Sequence, residues 1–100
     1  MRPIHLASLD KTRPVLILTR EPVRPYLKSI TVAPITSTVR GLSTEVSVGP
    51  ANGLAHNSVV SCDNITTVPQ SAIGRLLGYL KADQEAELAQ AIAAAYDLEV

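Results

Sequence analysis

One hundred residues are enough for one domain that buries roughly two-thirds of its unfolded surface, and 46% hydrophobic against 18% charged content excludes a disordered chain. A single cysteine, Cys62, excludes an internal disulfide and fits a reduced, cytoplasmic protein; no apolar run approaches ~18 residues and no basic-then-apolar leader opens the chain, so neither a membrane span nor a signal peptide is expected. Net charge is zero but unevenly laid out, with seven Lys/Arg against two Asp/Glu in residues 1–41 and two against seven in residues 42–100.

In chain order, Ile4 to Leu9 alternates loosely, as a strand does. Asp10-Lys11-Thr12 is a short polar connection. Pro14 opens a second strand, where a missing N–H is tolerated, and Val15 to Leu18 is apolar without interruption, as a buried strand is. Glu21 to Pro25, with two prolines and two charges, reads as a loop. Ile30 to Ala33 is a third strand that Pro34 should interrupt, at an edge or a bulge. Glu45 to Val48 alternates cleanly. Gly49 to Gly53 is turn-rich, with Asn52-Gly53 favouring positive φ. Ser58 to Val68 is the longest strand-like stretch, closed by Pro69. Gly74 and Gly78 bracket a short apolar element of either type. Lys81 to Asp97 predicts a helix, with early acidic residues complementing its dipole and Leu88, Ile92 and Tyr96 on one face beside Ala91 and Ala95. The fold class is α+β, mostly β: a small barrel with a C-terminal helix, as a single domain over 1–100.

The +5 half next to a −5 half either forms a basic face for a polyanion or an acidic peptide, or mixes away on folding. Only Tyr26, Tyr79 and Tyr96 are aromatic, and they are scattered, which excludes a stacking platform for bases. The stretches Arg13 to Leu18 and Thr31 to Gly41 place guanidinium groups beside hydroxyls. With no cluster of metal-ligand spacing and no glycine-rich phosphate loop, that chemistry suits a phosphate.

These residues resemble the MazF/PemK/Kid family of bacterial toxin ribonucleases. The resemblance is carried by Arg13-Pro14-Val15, Val32-Ala33-Pro34-Ile35-Thr36, Glu45-Val46 and Gly53-Leu54. It continues through Ser58, Val60, Asp63, Ile65, Thr67 and Val68, then Gly78-Tyr79-Leu80 before an acidic helix. No single motif is specific; their order and spacing are. The resemblance implies an SH3-like β-barrel of five to seven strands that forms a homodimer, cuts single-stranded RNA without a metal or other cofactor, and is silenced by a cognate antitoxin. An acidic antitoxin segment would suit the +5 half. The family's catalytic arginine and threonine fall on Arg13 and Thr36, with Lys11, Arg20, Ser37, Thr38 and Arg40 as candidate RNA contacts. The long Gly-Ser-rich loop that the family usually carries between its first two strands is absent, as is its opening Gly-Asp. A related barrel that poisons DNA gyrase by binding alone is the alternative.

RNA cleavage of this kind uses the substrate's own 2′-hydroxyl and leaves 2′,3′-cyclic phosphate and 5′-hydroxyl ends. A fixed guanidinium suits the charge that develops at phosphorus. Arg13 is a poor base, since neutralising an arginine of pKa ~12.5 at pH 7 costs roughly 7 kcal/mol; it is an electrostatic stabiliser or a proton donor. Thr36 would orient a phosphate oxygen or the nucleophile, with Ser37 and Thr38 as rivals. Arg40 is either a second phosphate clamp or a solvated charge. Histidine pairs run many metal-independent ribonucleases, so His5, in a strand, and His56, in a turn-rich loop, are candidate acids or bases, His56 the better of the two; no spacing joins them, and a lone histidine is more often structural. Asp63 reads as a structural hydrogen-bonding residue, and Cys62 as a small buried hydrophobe.

Overall fold

The computed structural model describes residues 1–99. Seven strands form one antiparallel sheet: β1 (Pro3–Ser8), β2 (Thr12–Ile17), β3 (Ser29–Thr36), β4 (Glu45–Val48), β5 (Ser58–Ser61), β6 (Thr66–Pro69) and β7 (Ile73–Tyr79). Helix α1 (Ala82–Ala95) follows. Across the sheet the order is β4-β5-β3-β2-β1-β7, with β6 also paired to β3. The result is a curled half-barrel with a C-terminal helix, the expected class at the upper end of the expected strand number. Among the described residues, no helix is long and apolar enough to cross a membrane.

The uninterrupted apolar run of β2 has a direct cause. Val15 and Ile17 join Ala7, Ile30, Val32 and Val68 on one face. Leu16 joins Ile4, Ala33, Ile35, Val46 and Val60 on the other, where Leu88 and Ala91 of α1 close the core. A strand buried on both faces has no polar face to show.

Two expectations about β3 and its neighbours are corrected. Pro34 makes neither an edge nor an interruption: β3 runs through it to Thr36 in the middle of the sheet. Pairing with β6 ends at Val32 opposite Thr66, and pairing with β5 begins at Ile35 opposite Val60. Pro34 sits where the neighbouring chain turns away, so its missing N–H breaks no ladder bond. That turn is a 3₁₀ segment, Cys62–Asn64, and it divides the expected single strand Ser58 to Val68 into β5 and β6. The Glu21–Tyr26 segment is a 3₁₀ helix rather than an open loop, and the Gly74–Gly78 element is β7.

One contact holds the turn-rich segment in place. Gly53, at φ +87°, lies against β7 so closely that a Cβ on it would sit 2.0 Å from the Leu77 carbonyl oxygen. A Cβ on Gly78 would likewise sit 2.1 Å from the Asn52 carbonyl oxygen. Backbone meets backbone here, which only glycine on both sides allows. Beside it, the buried Asn52 amide is fully engaged. Its Nδ2 donates to the Tyr79 carbonyl (2.9 Å) and to Gln84 Oε1 (2.7 Å), while its Oδ1 accepts from the Gly49 N–H (3.1 Å). Gln84 answers with Nε2 bonds to Asn52 Oδ1 (3.2 Å) and the Ser47 carbonyl (3.1 Å), and its Oε1 also accepts the Lys81 N–H that starts the helix (2.8 Å).

Helix α1 is shorter than the expected Lys81 to Asp97, because Lys81 and Tyr96 cap it and Asp97 lies beyond its end. Lys81 is the N-cap, and Tyr96 is the C-cap with 55% of its surface exposed. The chain then turns left-handed at Asp97 (φ 56°), and the Leu98 N–H returns to the Ala93 carbonyl at 2.8 Å, closing a Schellman turn. The packed stripe therefore stops short of Tyr96: Leu88 and Ala91 are buried, Ile92 and Ala95 partly so.

At the helix's first turn, the Arg2 guanidinium grips Glu85 with Nη2 to Oε1 at 2.6 Å and donates Nη1 to the Ile17 and Leu18 carbonyls. Hydrogen bonding from Arg2 holds the Glu85 carboxyl below its ordinary range. A depressed carboxylate contributes stability above its unfolded-state pKa and loses it as pH falls through the folded one. Because Glu85 is about half exposed, the pair is expected to be worth no more than about 1 kcal/mol. Glu85→Gln should therefore lower the urea midpoint slightly at pH 7 and leave it equal to wild type in acid. An equal deficit at both pH values would sink the ion-pair account.

Candidate active site

The register between β2 and β3 brings the two principal candidates together. Val15 pairs with Pro34, and two further steps along each strand set Arg13 across from Thr36, at the end of the sheet where β2 begins and β3 finishes. Arg13 and Thr36 together form the wall between two clefts. One, of about 250 Å³, is also lined by Lys11, Ser37, Leu54, Ala55, His56 and Ser58. The other, of about 370 Å³, is also lined by Thr38, Arg40, Glu45, Ser61, Asp63 and Asn64.

The hydrogen-bonding state of each group decides what it offers. Arg13 Nη2 donates to the Asp10 carboxylate at 3.0 Å, which anchors one corner of the guanidinium. Its Nε–H is buried with no partner. An unsatisfied buried donor calls for an explanation in a native fold, and a bound oxygen would supply one. Thr36 Oγ1 accepts the Thr38 N–H (3.1 Å), and its own hydrogen has no acceptor among the described residues.

Of the remaining candidates, Lys11 and Ser37 share the first cleft and Thr38 and Arg40 the second. Arg20 is not among them. It follows β2 at the opposite end from Arg13 and lines a separate cavity of about 550 Å³ with Arg2, Arg24, Lys81, Glu21 and Glu85. Glu45, in the second cleft, turns its carboxylate onto the Arg40 and Leu42 N–H groups and so shapes the loop that carries Arg40. Asp63 accepts from the Thr44 hydroxyl at 2.6 Å.

Sequence reasoning weighed His56 as an acid or base without placing it in the site; only the fold of the 49–58 segment brings it beside Arg13, and no spacing along the chain signals it. His5 lies elsewhere, with Nδ1 2.9 Å from the Gly74 carbonyl. The basic half does not mix away by pairing. Among the described residues, Arg2 with Glu85 is the single ion pair that joins residues 1–41 to the acidic half. Also among them, no three His, Cys, Asp or Glu side chains gather closely enough to hold a metal ion.

Cys62 is buried, between Ser61 and Asp63, which line the second cleft. Burial, and next the neighbouring Asp63 carboxylate, pushes its thiol up to about 11. The thiolate is the reactive form, so Cys62 is expected to resist iodoacetamide at pH 8 in the native protein and to react once urea unfolds it. Rapid native alkylation, followed by mass spectrometry, would contradict this placement.

Comparison with known proteins gives the family. Residues 4–96 match the model of the family described as PemK-like, MazF-like toxin of type II toxin-antitoxin system. The chain is 65% identical over 99 residues to a Mycobacterium tuberculosis protein named Endoribonuclease MazF3, spanning 99% of this chain and 96% of that one. It is 36% identical to a protein of the same organism named Probable endoribonuclease MazF2, over 82% of this chain and 81% of the relative. Among solved structures, Mycobacterium tuberculosis toxin MazF-mt6 superposes with a TM-score of 0.97 at 64% identity, covering 99% of this chain and all of that one. A mycobacterial endoribonuclease in complex with its cognate antitoxin shares the fold at 24% identity, with a TM-score of 0.87 over 98% of this chain and 94% of that one. By family match and by identity along nearly its whole length, this chain belongs to the PemK-like, MazF-like toxins of type II toxin–antitoxin systems.

Proposed function

We propose that the chain is an endoribonuclease that cuts single-stranded RNA without a metal ion and is held silent by a cognate antitoxin. The observation that carries this is the cross-strand placement of Arg13 and Thr36, which line two clefts in common. The names of the mycobacterial relatives support the same reading. The RNA 2′-oxygen attacks the adjacent phosphorus while Arg13 neutralises the charge on the phosphoryl oxygens and Thr36 fixes one of them by donation. The bond to the 5′-oxygen breaks, leaving cyclic phosphate and 5′-hydroxyl ends. Lys11, Ser37, Thr38 and Arg40 line the path of the flanking phosphates.

An acidic antitoxin segment would find an electropositive surface here, since most of the cations of residues 1–41 lack carboxylate partners among the described residues. Self-association to a dimer is supported by β7, an edge strand that exposes Leu76 and Tyr79. A monomeric mass by sedimentation equilibrium at micromolar concentration would refute it. The deciding test uses mixed single-stranded RNA in excess EDTA with product ends mapped. Site-limited cuts with cyclic-phosphate and 5′-hydroxyl ends are expected. Intact RNA with a folded protein would transfer the assignment to a binding toxin, with DNA gyrase the next partner tested.

A further inference from the structure

The Arg13 site, as a ribonuclease centre, lacks a proton acceptor. Cleavage moves the proton of the 2′-hydroxyl to a base. A guanidinium cannot take it, and a threonine hydroxyl that already accepts a backbone N–H has no basicity for it. No carboxylate lines the cleft that Arg13 and Thr36 share with Lys11 and Ser37, and the carboxylates near them already accept hydrogen bonds elsewhere. Asp10 is held by Arg13, Glu45 by the Arg40 and Leu42 N–H groups, and Asp63 by Thr44, while Lys11 and Arg40 are cations.

One group remains. His56 lines the same 250 Å³ cleft as Arg13 and Thr36, is exposed, and has no hydrogen bond to its imidazole among the described residues. Its backbone is held in place by the Ser58 hydroxyl, which donates to its carbonyl at 3.0 Å. We infer that His56 is the general base of this enzyme, its neutral imidazole taking the 2′-hydroxyl proton as the 2′-oxygen closes on phosphorus. The P–O5′ bond then breaks, and the departing 5′-oxygen, stabilised by Arg13, takes its proton from water. The imidazolium returns its own proton to solvent. The ionisable groups facing His56 are Lys11 from the β1–β2 turn and Arg13 with its bound Asp10 from β2; β3 and β5 present Ile35, Thr36, Ser37 and Ser58, which carry no charge.

This rests on the ribonuclease reading of the same cleft, and the experiment separates the two. Single-turnover cleavage rates of wild type, His56→Gln, His56→Ala and Arg13→Ala are measured from pH 5 to 9 with thermal melts of each. For wild type, the rate should climb about tenfold per pH unit on the acid side before levelling, as catalysis by a single neutral imidazole requires. His56→Gln should melt like wild type, lose about 10²-fold or more in rate and flatten the acid limb. Added imidazole should restore part of the His56→Ala rate. A His56→Gln enzyme that keeps the wild-type rate, or that is slower yet keeps the acid limb, would overturn the assignment. A folded wild type that cuts no better than Arg13→Ala would overturn the ribonuclease reading itself, and the base with it.

Discussion

Arg13→Ala should leave a folded protein that no longer cuts RNA. The loss in kcat/KM is expected at about 10³-fold or more, the range seen when a preorganised charge donor is taken from a transition state. Arg13→Lys should recover little of it, because an ammonium lacks the planar fork that meets two phosphoryl oxygens at once. Stability should hardly move. The single ion pair that Arg13 makes is with Asp10, whose side chain is 73% exposed, so its loss costs about 1 kcal/mol at most. Removing the unpartnered Nε–H relieves a desolvated donor and works in the opposite direction. Activity assays beside urea unfolding curves check both halves. A variant that cleaves RNA within tenfold of wild type would place the chemistry elsewhere in the fold.

Gly78→Ala should be among the most damaging single substitutions in the chain. The added methyl would stand 2.1 Å from the Asn52 carbonyl oxygen and 2.7 Å from its carbon, and backbone cannot rotate aside as a side chain can. Relief requires β7 or the Pro50–Asn52 turn to move. Movement of the turn pulls Asn52 off Tyr79 and Gln84, stranding buried amide donors. Overpacking plus broken buried hydrogen bonds gives an expected cost of about 3–5 kcal/mol. Gly74→Ala, on the same strand, meets nothing nearer than the Leu6 carbonyl oxygen at 3.3 Å and should cost about 1 kcal/mol or less. Urea midpoints that fail to separate the two variants would show that the contact is looser than described.

The legible parts of this fold were those set by local chemistry. The two-faced burial of Val15 to Ile17 is written as an unbroken apolar run, and the helix is written in alanine, acidic residues and a repeating apolar stripe. Pro34 misled because its rule concerns ladder bonds, and whether a ladder bond is due there depends on where the far strand bends. Tyr96 misled because apolar periodicity does not mark the residue at which a helix stops. Arg13 and Thr36 could be named from motif order, yet their adjacency is a matter of register. Arg20 could have been set apart from the start: seven residues of extended chain from Arg13 span about 23 Å, too far for one phosphate to join them. His56 had no local signature, because only the path of the 49–58 segment puts it in the cleft.

Strand β3 sits between partners drawn from both ends of the chain. Residues 58–69 supply the whole of its second edge, and residues 82–95 seal the core beneath it. Arg13 and Thr36 come early in the chain, but Thr36 gains its strand partner only from residues 58–61. Long-range pairing of this kind delays the native state until its distant strands arrive. The order of the strands thus makes the setting of Thr36 depend on a segment well beyond it in the chain.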